Sequence, residues 1–271
     1  MPSACIVFGS ESDAFVIEKI ALVLKEKGIP FEARVCSAHR TPKNLEKLVE
    51  GSPAEVFIAG AGLSAALPGV IASQTVRPVI GVPVSGNYSG LDSVLATHQL
   101  PPGIPVLGTG IDAGEEAARN AFHILSKPEK IAIVNHAKTA EAEKHIRSCM
   151  ETLEKFGAEH EINKKISGEK TVFIHFTKYC KQQKKDDALV INVPISENSA
   201  KENPFALSQI SGGLWVGLGR GENAALAAIE ILNLSNNAFE KKLIDFRKQL
   251  QEKVLSADES VRKKFRGQKN D

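Results

Sequence analysis

The chain has 271 residues, of which 42% are hydrophobic and 24% charged, and its formal net charge is +2. That length accommodates one large domain or two ordinary ones, and the composition is that of a globular chain with a full core. A balance so close to neutrality argues against a nucleic-acid or membrane surface, and the basic residues Arg262, Lys263, Lys264 and Arg266 read as a solvated, frayed tail.

Strand-like and helix-like segments alternate from the start. Ala4–Phe8 is a continuous apolar run stopped by Gly9, as expected of a strand buried on both faces. Ser12 and Asp13 are placed to cap a helix from Ala14 to Lys27, where Ile17, Ile20, Ala21 and Leu24 recur at helical spacing before Gly28 stops it. Phe31–Cys36 reads as the next strand, and Lys43–Glu50 as a short helix behind Pro42. Val56–Ala59 and Pro78–Val82 are further strands, separated by a small-residue helix over Ala65–Gln74. Val106–Thr109 and a helix from Gly114 to Leu125 close the unit. This rhythm predicts a doubly wound, flavodoxin-like parallel sheet in a three-layer α/β/α arrangement, with ligands bound beyond the carboxyl ends of the strands.

A second pass begins near Lys130. Ile131–Asn135, a helix over Ala140–Phe156, Gly157 and the strand-like Glu159–Asn163 repeat the opening order of strand, helix, glycine and strand. Ala188–Pro194 resembles Arg77–Pro83, and Glu222–Leu232 resembles Glu115–Leu125. Three matches in one order predict a tandem duplication, with residues 1–126 as one domain and 127–271 as its degenerate copy. The second copy shows no counterpart of Ser37–Pro42 or of Gly60–Gly69. Lys178–Asp187 reads instead as a solvated loop, and the copy as scaffold and oligomerisation surface.

Cys5, Cys36, Cys149 and Cys180 show no paired spacing, so neither a disulfide framework nor a zinc site is expected, and Cys5 and Cys36 read as small core residues. The apolar stretch at Ala4–Phe8 is too short for a signal peptide or a membrane span, which places the chain in the reducing cytoplasm.

Three loops gather chemistry at one sheet edge. Gly9–Asp13 follows the first strand and opens a helix, so its backbone N–H groups suit an anion such as a phosphate; an ordinary cap by Ser10 or Ser12 would look the same. Asp13 would repel a phosphate and is better placed to accept hydrogen bonds from sugar hydroxyls. Ser37-Ala38-His39-Arg40-Thr41-Pro42 sets a group titrating near neutrality beside a permanent cation. Gly60–Gly69, with Gly62 and Ser64, is small enough for a ligand ring to approach the backbone.

Taken together, GSESD, SAHRTP, IAGAG followed by LPG, PVIGVP, SGLDS and QLPPGIP resemble the PurE family, whose members place a carboxyl group on C4 of aminoimidazole ribonucleotide. The resemblance covers residues 4 to about 125 and continues more weakly at Asn223–Leu226 and Leu243–Val254. It implies His39 as general acid/base and Ser10, Asp13, Ser37 and Arg40 as contacts to the nucleotide phosphate and ribose, with Gly62 and Ser64 lining the substrate site. It further implies a ribonucleotide and CO2 as partners, no metal or organic cofactor, and homo-oligomers: four duplicated chains would rebuild an octameric shape. The chemistry agrees, because carboxylating C4 leaves a proton that a base must remove, and a neutral histidine within reach is such a base.

The chain departs from the family pattern in two places. Ala66 stands where the mutase branch carries a histidine, and Ser64, Ala66 and Leu67 lean towards the CO2-dependent carboxylases. Arg40-Thr41-Pro42, by contrast, is mutase-like, and the loop Val84–Gly90 is about one residue short of the mutase form. The carboxyl donor therefore stays open between CO2 and the N5-carboxy nucleotide. A non-catalytic nucleotide-binding protein and a carboxylase of another substrate stand as alternatives.

Overall fold

The computed structural model describes residue 1 and residues 3–179, 187–198 and 201–266. β1 (Ala4–Phe8) is buried throughout, as its unbroken apolar run requires. α1 (Ala14–Glu26) turns Val16, Ile20, Val23 and Leu24 into the core and is followed by Gly28 at φ 67°. β2 (Phe31–Val35), α2 (Pro42–Gly51, with Pro42 in its first turn) and β3 (Val56–Ala61) come next. α3 (Ala66–Gln74), β4 (Val79–Pro83), α4 (Leu91–His98), β5 (Leu107–Gly108) and α5 (Gly114–Leu125) complete the first half. The second half runs β6 (Lys130–Asn135), α6 (Ala140–Phe156), β7 (Glu161–Asn163), β8 (Thr171–Lys178), β9 (Leu189–Ile195), β10 (Leu214–Trp215), α7 (Gly221–Asn236) and α8 (Glu240–Phe265).

All ten strands form one sheet in the order β2-β1-β3-β4-β5-β10-β9-β8-β6-β7. Read inwards from either edge, the order is the same: 2-1-3-4-5 and 7-6-8-9-10, the flavodoxin-like arrangement, present twice. Every pairing is parallel except β5 with β10, which meet antiparallel at Gly108 and Trp215. Each half is thus an all-parallel sheet, and the two join head to tail at their fifth strands. The position between residues 126 and 127 falls in the link from α5 to β6, while the sheet itself is continuous across β5 and β10.

The alternation of strand side chains sorts the core. Ala4, Ile6 and Phe8 of β1 join one cluster that runs the width of the molecule beneath α1, α5, α7 and α6. Cys5 and Val7 point the other way, into a second cluster with α2 and α3 that belongs to the first half alone. Below the second half, the described residues of the opposite face form a small cluster of Ala132, Val134, Ile166, Phe173 and Val190. The three helix-sheet-helix layers are therefore complete in the first half. In the second, the described residues place helices on one face, because residues 164–170 link β7 directly to β8 and a short 3-10 turn, Pro204–Gln209, stands between β9 and β10.

Several expectations change. α4, β8 and β10 escape the reading of the sequence, because Leu91–His98 and Leu214–Trp215 are short and Thr171–Lys178 interleaves polar residues with apolar ones in a strand buried on both faces. Arg262–Lys264 are not a frayed tail but the last turns of the 26-residue α8, where cations favour the helix dipole. Residues 180–186 of the expected loop, Cys180 among them, lie outside the described residues; Lys178 itself ends β8. Cys5, Cys36 and Cys149 are buried free thiols. Among the described residues no helix is long and apolar enough to cross a membrane.

The halves are tied by specific contacts. Asn223 of α7 accepts a hydrogen bond from the Gly103 amide at 2.8 Å and donates to the Pro101 carbonyl at 3.0 Å. α8 is fastened to α7 by Arg247, whose Nη2 donates to Glu230 at 3.1 Å. Burial pushes the Glu230 carboxyl up to about 8, against the pull of Arg247.

Candidate active site

The carboxyl ends of β1, β2, β3 and β4 open into a cavity of about 500 Å³ lined by Gly9, Ser10, Ser12, Asp13, Ser37, Ala38, His39, Arg40, Ala61, Gly62, Leu63, Ala66, Leu67, Ser85 and Gly86. The three loops separated in sequence converge there because β1 lies between β2 and β3 in the sheet. A larger groove of about 960 Å³ runs between α8 and the segments Ser73–Arg77 and Pro101–Ile104. It lies at the amino-terminal ends of β4 and β5, and Arg77 there donates its Nη groups to the carbonyls of Val49, Ser52 and Ala54. The smaller cavity is the one that the three loops singled out in the sequence surround.

Each wall has a local cause. Ser10, extended at φ −154° and ψ 151°, caps the 3-10 turn Glu11–Asp13 by accepting from the Ser12 amide at 3.3 Å. Capping by Ser10, one of the two alternatives the sequence offered, is thus realised on the 3-10 turn; Asp13, expected with Ser12 to cap α1, makes no side-chain cap of it. Instead its Oδ1 lies 3.0 Å from Ser12 Oγ, and the residue is only 9% exposed. Burial raises the Asp13 pKa, the Ser12 hydrogen bond opposes that rise, and the nearby charge of Asp112 adds to it.

The Ser37–Pro42 loop closes on itself. Thr41 Oγ1 accepts from the Ser37 amide at 3.0 Å, the Thr41 amide donates to the Ser37 carbonyl at 2.9 Å, and Ser37 Oγ accepts from the Arg40 amide at 3.2 Å. These bonds hold the turn that projects His39, which is exposed at the cavity wall. Arg40 Nη2 donates to the Gly9 carbonyl at 2.9 Å, stitching the second loop to the first. These hydrogen bonds of the guanidinium go to neutral oxygens, which leaves its charge available to an anion that enters the cavity.

The floor needs small residues. A Cβ on Gly60 would run into the ring of Phe8, so only glycine lets β3 pass that close to β1. Gly62 lines the cavity, and Ala66 leaves open the space a larger side chain would take. Ser64 is not part of the lining; its backbone, at φ 47°, turns its amide to Asp92 Oδ2 at 2.9 Å.

Ser10, Asp13, Ser37, His39, Arg40 and Gly62 are thus brought together, and Ser64 is not. Ser85 and Gly86 fall in the Val84–Gly90 loop, which the sequence marked by its length but not as site residues, although their place directly after the PVIGVP strand points to them. Asp92 and Asp112 do not line the cavity; Asp92 is the acidic residue of the SGLDS motif, to which the sequence assigned no role, and nothing in its local sequence marks Asp112. Among the described residues no group of three or more His, Cys, Asp or Glu side chains is arranged to hold a metal ion.

Comparison with known proteins gives this geometry a context. Residues 3–147 match the family described as AIR carboxylase, a span that runs through β6 and into α6. An N5-carboxyaminoimidazole ribonucleotide mutase of Methanocaldococcus jannaschii is 57% identical over 129 residues, covering 47% of this chain and 82% of the relative. One from Thermotoga maritima is 38% identical over 170 residues, covering 61% of this chain and 99% of its own length. The phosphoribosylaminoimidazole carboxylase of Candida albicans is 37% identical over 170 residues, which is 61% of this chain but 30% of that larger protein. With its cavity formed inside the matched span and most or all of two single enzymes aligned to it, this chain belongs to the AIR carboxylase family.

Proposed function

We propose that the chain makes 4-carboxyaminoimidazole ribonucleotide in purine biosynthesis by moving the carboxyl group of N5-carboxyaminoimidazole ribonucleotide to C4. The observation that carries this reading is the placing of His39 and Arg40 on one self-bonded turn, facing the glycine-lined wall across a single cavity. Arg40, Ser10 and Ser37 take the phosphate and ribose, and Asp13 accepts from sugar hydroxyls. The N5–carboxyl bond breaks and CO2 is released beside the ring, while His39 in its protonated form gives N5 a proton. The electron-rich C4 then attacks CO2, and neutral His39 removes the C4 proton, so one carboxyl group and one proton have exchanged places. The cavity's work is to keep CO2 against C4 and water away.

Direct use of CO2 is the second reading, favoured by Ala66, which leaves the cavity without the histidine of the mutase branch. Supplying each donor separately decides between them: product from the N5-carboxy nucleotide without added bicarbonate supports the mutase, and product only from aminoimidazole ribonucleotide with bicarbonate overturns it. His39→Asn should lower turnover by about 10²–10⁴-fold; unchanged turnover would remove His39 from the mechanism. Nucleotide binding without product from either donor would leave a binding protein.

The second half acts as scaffold, and the enzyme works in the cytoplasm on small molecules, without nucleic acid or membrane, as a tetramer that rebuilds an octameric shape from duplicated chains. Sedimentation or light scattering that finds a stable, active monomer would sink the oligomer.

A further inference from the structure

Two aspartates behind the cavity do the same job from different elements. Asp112 follows β5 and sits at φ 54°, a left-handed conformation that aspartate tolerates better than most side chains. In that pose its amide donates to the Pro83 carbonyl at 2.9 Å, and its Oδ1 accepts from the Ser85 amide at 2.9 Å. One residue thereby grips both ends of the step from β4 into Ser85 and Gly86, which line the cavity. The Val84 amide between them donates to the Ala61 carbonyl at 3.1 Å, carrying the tie across to β3.

Asp92, in the first turn of α4, does the equivalent for the opposite lip. Its Oδ2 accepts from the amide of Ser64, just past the lining residues Gly62 and Leu63, and Ser64 is itself left-handed at φ 47°. The next residue, Ser93, is fully buried and its Oγ lies 3.0 Å from the Val84 carbonyl and 2.8 Å from that of Gly90. α4 therefore anchors both lips, one through Asp92 and the other through Ser93. Neither lip belongs to a helix or strand, and hydrogen bonds to ionised acceptors are the stronger kind.

We infer that Asp92 and Asp112 are positioning residues, which hold the Gly62–Ser64 and Ser85–Gly86 lips where the reacting end of the nucleotide must lie. They act through backbone amides and touch no substrate. The phosphate and ribose contacts proposed above lie in the separate Ser10–Asp13 and Ser37–Arg40 loops, which are held by their own hydrogen bonds, so loosening the lips displaces the ring more than its anchor. The kinetic part of this assignment rests on the carboxylation proposed above; the structural part does not.

The test uses Asp112→Ala and Asp112→Asn, with Asp92→Ala and Asp92→Asn beside them, in the full chain. Asparagine keeps an acceptor oxygen and tolerates the left-handed backbone, so it separates the hydrogen bond from mere occupancy. Amide hydrogen exchange in the free protein should speed up about tenfold or more at Ser85 in Asp112→Ala and at Ser64 in Asp92→Ala, and far less in the asparagine variants. In turnover assays with the productive donor, the alanine variants should lose about 10- to 100-fold in kcat with KM for the nucleotide held within about twofold, and asparagine should restore most of it. Unchanged exchange in the alanine variants, equal damage from asparagine and alanine, or a rise in KM at constant kcat would each overturn the assignment. If the wild-type protein turns over neither donor, the carboxylation reading falls, and the exchange measurement alone decides whether the aspartates hold the lips.

Discussion

The two halves share a strand order and a register, and differ in what they put at corresponding points. In the first half Val7 pairs with Ala59 and Ala59 with Gly81. In the second, Val134 pairs with His175 and His175 with Asn192. The small residues are forced where helices press on the sheet: a Cβ on Gly81 would strike Thr97 of α4 and Val106. Where the described residues carry no helix on that face, the space is filled by polar side chains that satisfy one another. Asn192 Nδ2 donates to the Gly212 and Leu214 carbonyls at 3.2 Å, which orients its Oδ1 to accept from His175 Nδ1 at 2.8 Å. His175 Nε2 lies 3.1 Å from His136 Nδ1, and His136 Nε2 lies 3.1 Å from the Lys164 carbonyl. A histidine in one half stands exposed at a cavity; a histidine in the other is fully buried in a hydrogen-bonded chain. One scaffold thus supports a site where it is left open and a polar core where it is filled.

The largest effect that would sharpen this contrast is on rate. Removing the exposed histidine with His39→Asn should cost about two to four orders of magnitude in turnover with little change in thermal stability. The mirror substitution, His175→Ala, should do the reverse. It strips the Asn192 oxygen of its donor in a buried site, at a cost of about 1–3 kcal/mol in stability, while kcat stays within about twofold. Denaturant titration and turnover on the same two variants make the measurement. A His175→Ala protein that is stable but inactive would mean that the second half does more than support the first.

A smaller effect is expected at the α7–α8 contact, which has no counterpart in the first half. Because burial lifts the folded-state pKa of Glu230 to about 8, the folded protein binds a proton there that the unfolded chain releases near the ordinary carboxylate value. The stabilisation is complete below that ordinary value and is lost as pH rises towards 8. Wild-type stability should therefore fall between pH 5 and 8 relative to Glu230→Gln, by at most about 1.4 kcal/mol per pH unit. Buried His98, whose pKa burial lowers to about 4, works the opposite way below pH 6.5 and is common to both proteins, so it cancels from the difference. A difference flat across that range would show that Arg247 keeps Glu230 ionised.

Much of the fold was legible because local physics wrote it. Apolar runs marked β1, β3 and β4; helical spacing marked α1, α5 and α6; and the repeated order of segments anticipated a strand order that recurs in the second half. The loop chemistry was legible for the same reason, since Ser10, Asp13, Ser37, His39 and Arg40 follow strands whose carboxyl ends face one crevice in any parallel sheet. The lengths of short elements such as β5 and β10 were not, because a two-residue strand has no periodicity.

By itself, then, the sequence determined the alternation of strand and helix, the duplication of strand order, and the identity of the loop that carries the imidazole. Tertiary structure alone decided that the halves join antiparallel through their fifth strands, that the Ser64 amide is bonded to Asp92, and that Asp112 accepts from the Ser85 amide. The reason is reach. Propensity and periodicity act over a few residues, whereas those three outcomes depend on hydrogen bonds between positions far apart in the chain, whose geometry exists only once the sheet has closed.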